Sequence, residues 1–75
     1  MQYYVIKDRK SGNYYRGKGE NRWGKYFNQA SIFRVEGQVK FSFKEIKRNY
    51  RKEDVDPVII CIRIIEEGEL LCEEK

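Results

Sequence analysis

The sequence predicts a small α+β domain: a mixed or antiparallel sheet of about four strands with one helix packed on one face. Three observations point there. The first eighteen residues read as a β-hairpin, a central stretch has helical apolar spacing, and residues 58–66 hold seven Val, Ile or Cys in nine positions. Seventy-five residues make one domain. A chain this short buries only about 60% of its unfolded surface, so the core is small. Large aromatics fill such a core efficiently, and they are 15% of the chain.

"QYYVIKD" (2–8) opens as a strand rich in aromatic and β-branched residues. Tyr4 and Ile6 share one face, Tyr3 and Val5 the other. "RKSGN" (9–13) is a turn in which Gly12 supplies a left-handed position. "NYYRGK" returns as the second strand. Gly19, Asn21 and Gly24 then interrupt regular structure over 19–29. "ASIFRV" (30–35) reads as a third strand, ended by Glu36-Gly37.

The next segment satisfies two patterns. Val39, Phe43, Ile46 and Tyr50 recur at spacings of four, three and four, one face of a helix over about 38–51. Val39, Phe41 and Phe43 also alternate with Lys40, Ser42 and Lys44, as in a strand. Ser42 and Glu45 fit a capping box, which would start a shorter helix at 43. Phe41 separates the two: outward in the long helix, inward in the strand. The long helix is preferred, because Glu-Gly is not a favoured two-residue hairpin turn.

"DPVIICIRIIEE" (56–67) is the strongest strand. Pro57 can open it, and apolar residues on both faces place it in the middle of the sheet. Its alternative is an edge shared with a second copy through residues 58–65. The domain is expected to span 1–67, with 68–75 as an acidic C-terminal tail.

Charge is distributed unevenly. Residues 1–52 carry 14 Lys/Arg against 4 Asp/Glu, and residues 53–75 carry 2 against 8. A basic body attracts nucleic acid or an acidic protein; equally, the acidic end can lie against the body and neutralise it. The focus of basic charge is "YYRGKGENRWGKYF" (14–27), with Arg16, Lys18, Arg22 and Lys25 among five aromatics. Phosphate contacts need such cations, and unpaired bases stack on faces such as that of Trp23. A helix over 38–51 adds Lys40, Lys44, Lys47 and Arg51 within a narrow arc. These nine residues are the candidate contacts for a protein partner or nucleic acid. Each also has a plainer reading: Trp23 fills core, and basic residues near a helix C-terminus complement its dipole.

Enzymatic chemistry finds little to work with. There is no histidine, hence no Ser-His or Cys-His pair and no histidine metal ligand. "GENRWGK" (19–25) has the spacing of a phosphate-binding loop but is followed by Tyr26, not Ser or Thr. No catalytic residue, metal or cofactor is expected. Cys61 and Cys72 do not form a CxxC pair, and a reducing cytoplasm is the expected compartment. The N-terminus lacks the apolar run of a secretory leader, and "PVIICI" is too short to span a bilayer, so no membrane partner is expected.

"YYVIKD", "SGNYY", a lone Trp and "NQASIF" before a basic helix together resemble small proteins of phages and prophages of Gram-positive bacteria. The resemblance spans most of residues 3–66 and rests on structural positions. It implies a mobile-element origin, action in the host cytoplasm, and a non-enzymatic role in binding a host protein, such as defence or transcription machinery. A nucleic-acid-binding module using the same patch, and a structural subunit assembling through 58–65, are the alternatives.

Overall fold

A computed structural model describes residues 2–17, 22–64 and 70–74, with the backbone alone described at 64 and 70–74. The strands are β1 (Gln2–Asp8), β2 (Tyr14–Tyr15), β3 (Trp23–Gly24), β4 (Pro57–Ile64) and β5 (Leu70–Glu74). One helix, α1 (Glu36–Asn49), lies between β3 and β4, and a single 3-10 turn covers Phe27–Gln29. The sheet runs β3-β2-β1-β4-β5, and every pairing is antiparallel. The α+β class read from the sequence is the class observed.

The hairpin is confirmed, with Lys7 opposite Tyr14. Gly12 has φ 78° and donates its N–H to the Asp8 carbonyl at 2.8 Å. The second strand is shorter than its sequence suggests, because Gly17 also adopts a positive φ, 83°, and turns the chain out.

"ASIFRV" does not become a strand. Only Phe33 bridges to β1, exchanging both backbone hydrogen bonds with Tyr4 at 2.8 Å. The N-terminal half of β1 is thus paired by one residue of a connection, and its C-terminal end by β2. Ser31 ties this connection to β2, donating its N–H to the Tyr15 carbonyl at 2.8 Å.

The long helix is the one observed. It begins at Glu36 after an extended Val35. Phe41 is 66% exposed, as the helical alternative required. Ser42 lies inside the helix and caps nothing at its start. Val39 and Ile46 are fully or almost fully buried and meet Tyr4, Ile6 and Cys61 in the main core cluster. Each such side chain contributes about 1.5–3 kcal/mol through removal from water. Around the cluster pack Tyr15, Trp23, Phe33, Phe43, Tyr50, Val55 and Ile59.

β4 occupies the interior of the sheet, as its two-sided apolar pattern demands. Tyr4 faces Cys61 and Ile6 faces Ile59 on the helix side. Val5, Val58 and Ile62 are buried on the opposite face. Because β4 has β1 on one side and β5 on the other, its edge is closed to a second copy, which corrects the expectation of assembly through 58–65 by strand pairing. The expected acidic tail is also revised: residues 70–74 form β5, with Glu73 opposite Cys61 and Glu74 opposite Ile60.

Asp8 is the buried polar residue of the described chain, 4% exposed. Its carboxylate accepts the Ser11 hydroxyl at 2.6 Å and the backbone N–H groups of Ser11 at 3.2 Å, Lys10 at 3.1 Å and Asp56 at 2.8 Å. It therefore holds the hairpin turn together and pins it to the connection entering β4. The Lys10 ammonium donates to the Glu53 carbonyl, and the Arg9 N–H to the Asp56 carbonyl at 2.9 Å, across the same seam.

Candidate interaction surface

The basic, aromatic stretch 14–27 folds as a corner of the sheet. Arg16 donates its N–H to the Arg22 carbonyl at 2.7 Å, closing the chain between β2 and β3. The Ser31 hydroxyl donates to the Arg16 carbonyl. A Cβ on Gly17 would stand 3.0 Å from that hydroxyl, and one on Gly24 would stand 2.7 Å from Gln29 Cβ. Gln29 is held there because its side-chain oxygen accepts the Tyr26 N–H at 3.1 Å. Gly17 and Gly24 thus serve close backbone packing. Lys25 leads into a 3-10 turn of three residues, not the long helix that follows a phosphate-binding loop.

The aromatics divide by depth. Trp23 packs edge-on against Tyr15, centroids 5.5 Å apart, and against Tyr50 at 6.0 Å. Its indole Nε1 is buried and has no hydrogen-bond partner among the described residues. Tyr14 and Phe27 form a second edge-on pair at 5.5 Å. Trp23 is thus held between sheet and helix by edge contacts, and its half-buried ring also lines an open recess with Arg16, Lys25 and Tyr26. Tyr26, by contrast, is 60% exposed. The Lys25 ammonium lies 5.7 Å from its ring centroid.

Of the cations in this stretch, Arg16, Arg22 and Lys25 are exposed and make no ion pair among the described residues. Lys18 lies outside the described residues. Arg22 lines a cleft of about 240 Å³ between the corner and α1, with Tyr15 and Tyr50 as walls and Phe41, Glu45 and Asn49 from the helix. Glu45 is turned to Arg48, 3.1 Å away.

The helical lysines sit elsewhere. Lys40, Lys44 and Lys47 occupy one flank of α1, and Ser42, Glu45 and Asn49 the other. The first flank looks along β4: Lys40 lines a cleft with Ile59, and Lys47 one with Val55 and Pro57. The second flank looks toward β2. So the eight candidate contacts among the described residues do not form one patch. Arg16, Arg22 and Lys25 gather at the corner, with Trp23 beneath them. Lys40, Lys44 and Lys47 line the opposite side of the helix. Arg51 falls past the helix end at Asn49, in a turn where its carbonyl accepts the N–H groups of Asp54 and Val55, both at 3.0 Å.

Sequence reading passed over Phe41 as a contact, although its outward direction followed from the helix it preferred. It also passed over Asp8. The signal there was an Asp three residues before a Ser in a Gly-containing turn, the pattern of side-chain-capped turns.

No family model, curated protein or solved structure matches the chain. Among the described residues no helix is long and apolar enough to cross a membrane.

Proposed function

We propose that this chain is a small non-enzymatic interaction protein of phage or mobile-element origin, which binds and modulates a host protein in the cytoplasm, such as defence or transcription machinery. The contact is the sheet corner: Arg16, Arg22 and Lys25, with Phe41 as an apolar anchor across the cleft.

The observation that carries the reading is Phe41, a large aromatic 66% exposed at the mouth of a cleft that Arg22 also lines. Aromatic and arginine side chains that become buried at the centre of an interface supply much of its binding energy, and an exposed Phe beside an Arg offers both. Arg16, Arg22 and Lys25 make no ion pair among the described residues, so an acidic protein surface meets them without first breaking internal ion pairs. A nucleic-acid surface fits less well, because the basic residues are split between the corner and the far flank of α1.

The test has two arms. Labelled single- and double-stranded DNA and RNA are titrated with the protein at low and physiological salt, read by fluorescence anisotropy. Binding that vanishes with modest salt is expected; binding that persists would transfer the corner to the nucleic-acid reading. In parallel, Gram-positive host lysate is passed over the wild-type protein and over Phe41→Ala and Arg22→Ala/Lys25→Ala variants of unchanged melting temperature. A protein retained by the wild type and lost by both variants is expected. Equal retention by all three would refute the corner as the contact.

A further inference from the structure

A second surface lies on the other side of α1 and does not depend on the corner. Where the helix crosses the sheet, its flank leaves a seam open along β4. At one end the seam is walled by Tyr4, Val39, Phe43 and Ile59, with Glu36 and Lys40 at the lip. At the other end it is walled by Ile46, Tyr50, Val55 and Pro57, with Lys47, Lys52 and Asp56 at the lip. The two clefts follow one another along the same seam, since Phe43 precedes Ile46 on the helix as Ile59 follows Pro57 on the antiparallel strand.

The floor of this seam is apolar and its rim is basic. Lys40, Lys47 and Lys52 line the seam and are exposed; Lys44 lines neither cleft but is exposed on the same flank of α1. Among the described residues the lip carries two acids, Glu36 at 3.6 Å from Lys40 and Asp56 at 4.0 Å from Arg9, which leaves Lys47 and Lys52 as its lysines without an ion pair. The Lys47 ammonium rests 5.2 Å from the Phe43 ring, so charge and apolar surface meet within the groove itself. Lys44 makes no ion pair among the described residues.

We propose that this seam is a docking groove for an extended acidic segment of a partner protein, with apolar residues on the floor and carboxylates on the lysine rim. The charge of the rim selects the acidic partner, and the apolar floor selects peptide over phosphate backbone. The dimensions agree. The helix rises about 1.5 Å per residue, so Lys40 and Lys47 stand roughly 10 Å apart along its axis. An extended chain rises about 3.3 Å per residue and repeats its side-chain direction every second residue, so carboxylates on one edge recur about every 7 Å and reach both lysines. The seam from Glu36 to Tyr50 is roughly 20 Å long and accommodates about six extended residues.

The probe is a fluorescein-labelled octapeptide of alternating glutamate and leucine, titrated into the 15N-labelled full chain and followed by backbone amide shifts. A peptide with serine for glutamate and a twelve-nucleotide single-stranded DNA serve as comparisons. Binding of the acidic peptide is expected to move the amides of Lys40, Phe43, Lys47, Val55 and Ile59, and to weaken about tenfold or more in Lys40→Glu/Lys47→Glu. Arg22→Ala/Lys25→Ala should leave it unchanged, which separates this groove from the corner. Absence of shifts along the seam, shifts confined to residues 16–25, or a DNA complex at the seam that outlasts the peptide's in salt would each overturn the proposal. Should the charge reversal disturb the fold, Lys40→Gln/Lys47→Gln provides the same test with less repulsion.

Discussion

Two polar loops leave the first hairpin, and they use their charge in opposite ways. The turn after β1 folds its carboxylate inward: Asp8 is 4% exposed and accepts hydrogen bonds from Lys10, Ser11 and Asp56. The corner after β2 turns Arg16, Arg22 and Lys25 outward, while its glycines and Trp23 supply the packing. The same density of polar residues thus builds a clamp at one place and a display at the other. What distinguishes them is the backbone's need. Asp8 sits where several N–H groups would otherwise be left without acceptors, and a carboxylate answers them all. At the corner the backbone closes on itself, through Arg16 to Arg22 and Ser31 to Tyr15, so the charged side chains are left over.

The contrast breaks first at Asp8. Asp8→Ala should destabilise the protein by about 2–4 kcal/mol, because it strands buried donors from both the turn and the β4 connection. Denaturant titration checks this. Burial alone would raise the Asp8 carboxyl, but the Ser11 hydroxyl and the N–H groups of Asp56, Lys10 and Ser11 outweigh it and hold it below the ordinary aspartate value. A depressed folded-state pKa means a stabilising contribution that is complete above the unfolded value, about 3.9, and is lost as pH falls through the folded one. Asp8→Asn should therefore be less stable than wild type at pH 7, with the gap narrowing as the pH drops below about 3.9. A gap that stays constant down to pH 2 would show that the Asp8 charge is not what the turn uses.

Gly24→Ala is the next largest. The new methyl would stand 2.7 Å from Gln29 Cβ, so either the 3-10 turn shifts or the Tyr26 N–H loses its acceptor. Overpacking of this kind costs about 1–3 kcal/mol. Gly17→Ala, at φ 83° and 3.0 Å from the Ser31 hydroxyl, should cost about 1 kcal/mol. If both variants melt like the wild type, the corner is not the tightly packed unit described here, and its glycines are open to another role.

Trp23→Phe sharpens the depth of the corner. The indole Nε1 is buried with no hydrogen-bond partner among the described residues, so the substitution loses ring area but sheds an unsatisfied donor. The two effects oppose each other, and a net change under about 1 kcal/mol is expected from thermal melting. A loss comparable to that of a buried Trp truncation, about 3 kcal/mol or more, would mean that the indole nitrogen has an acceptor after all.

How far this arrangement could be read beforehand follows the same division. The hairpin, the interior position of β4 and the outward Phe41 were legible because periodicity is a local property: alternation in β1, two-sided apolarity in β4, and the four-three-four spacing in α1. The third strand was misread, because "ASIFRV" has strand composition while its pairing is limited to Phe33 by where β2 departs from β1. β5 was read as a tail because nothing in "LLCEE" reveals that β4 has a free side for it. Arg16, Arg22, Lys25, Lys40, Lys44, Lys47 and Arg51 are each exposed, but their grouping was not legible. Whether Lys47 and Arg22 share a surface depends on which side of α1 faces β2, and that is set by the crossing of helix and sheet.

The smallest expected effect on stability is at Arg22 and Lys25, and that smallness is informative. Both are exposed and unpaired among the described residues, so Arg22→Ala/Lys25→Ala should shift folding stability by under about 0.5 kcal/mol. Removing two positive charges from a chain of net charge +4 could even relieve repulsion slightly. On the proposed reading the same variant loses partner binding, since exposed cations that make no ion pair among the described residues have their charge free for an acidic surface. A melting curve and a retention assay on one preparation therefore separate display from clamp. A variant that melts as the wild type but no longer retains the partner places these two charges at the interface. A variant that unfolds assigns them to the same structural work as Asp8, and the distinction between the two loops collapses.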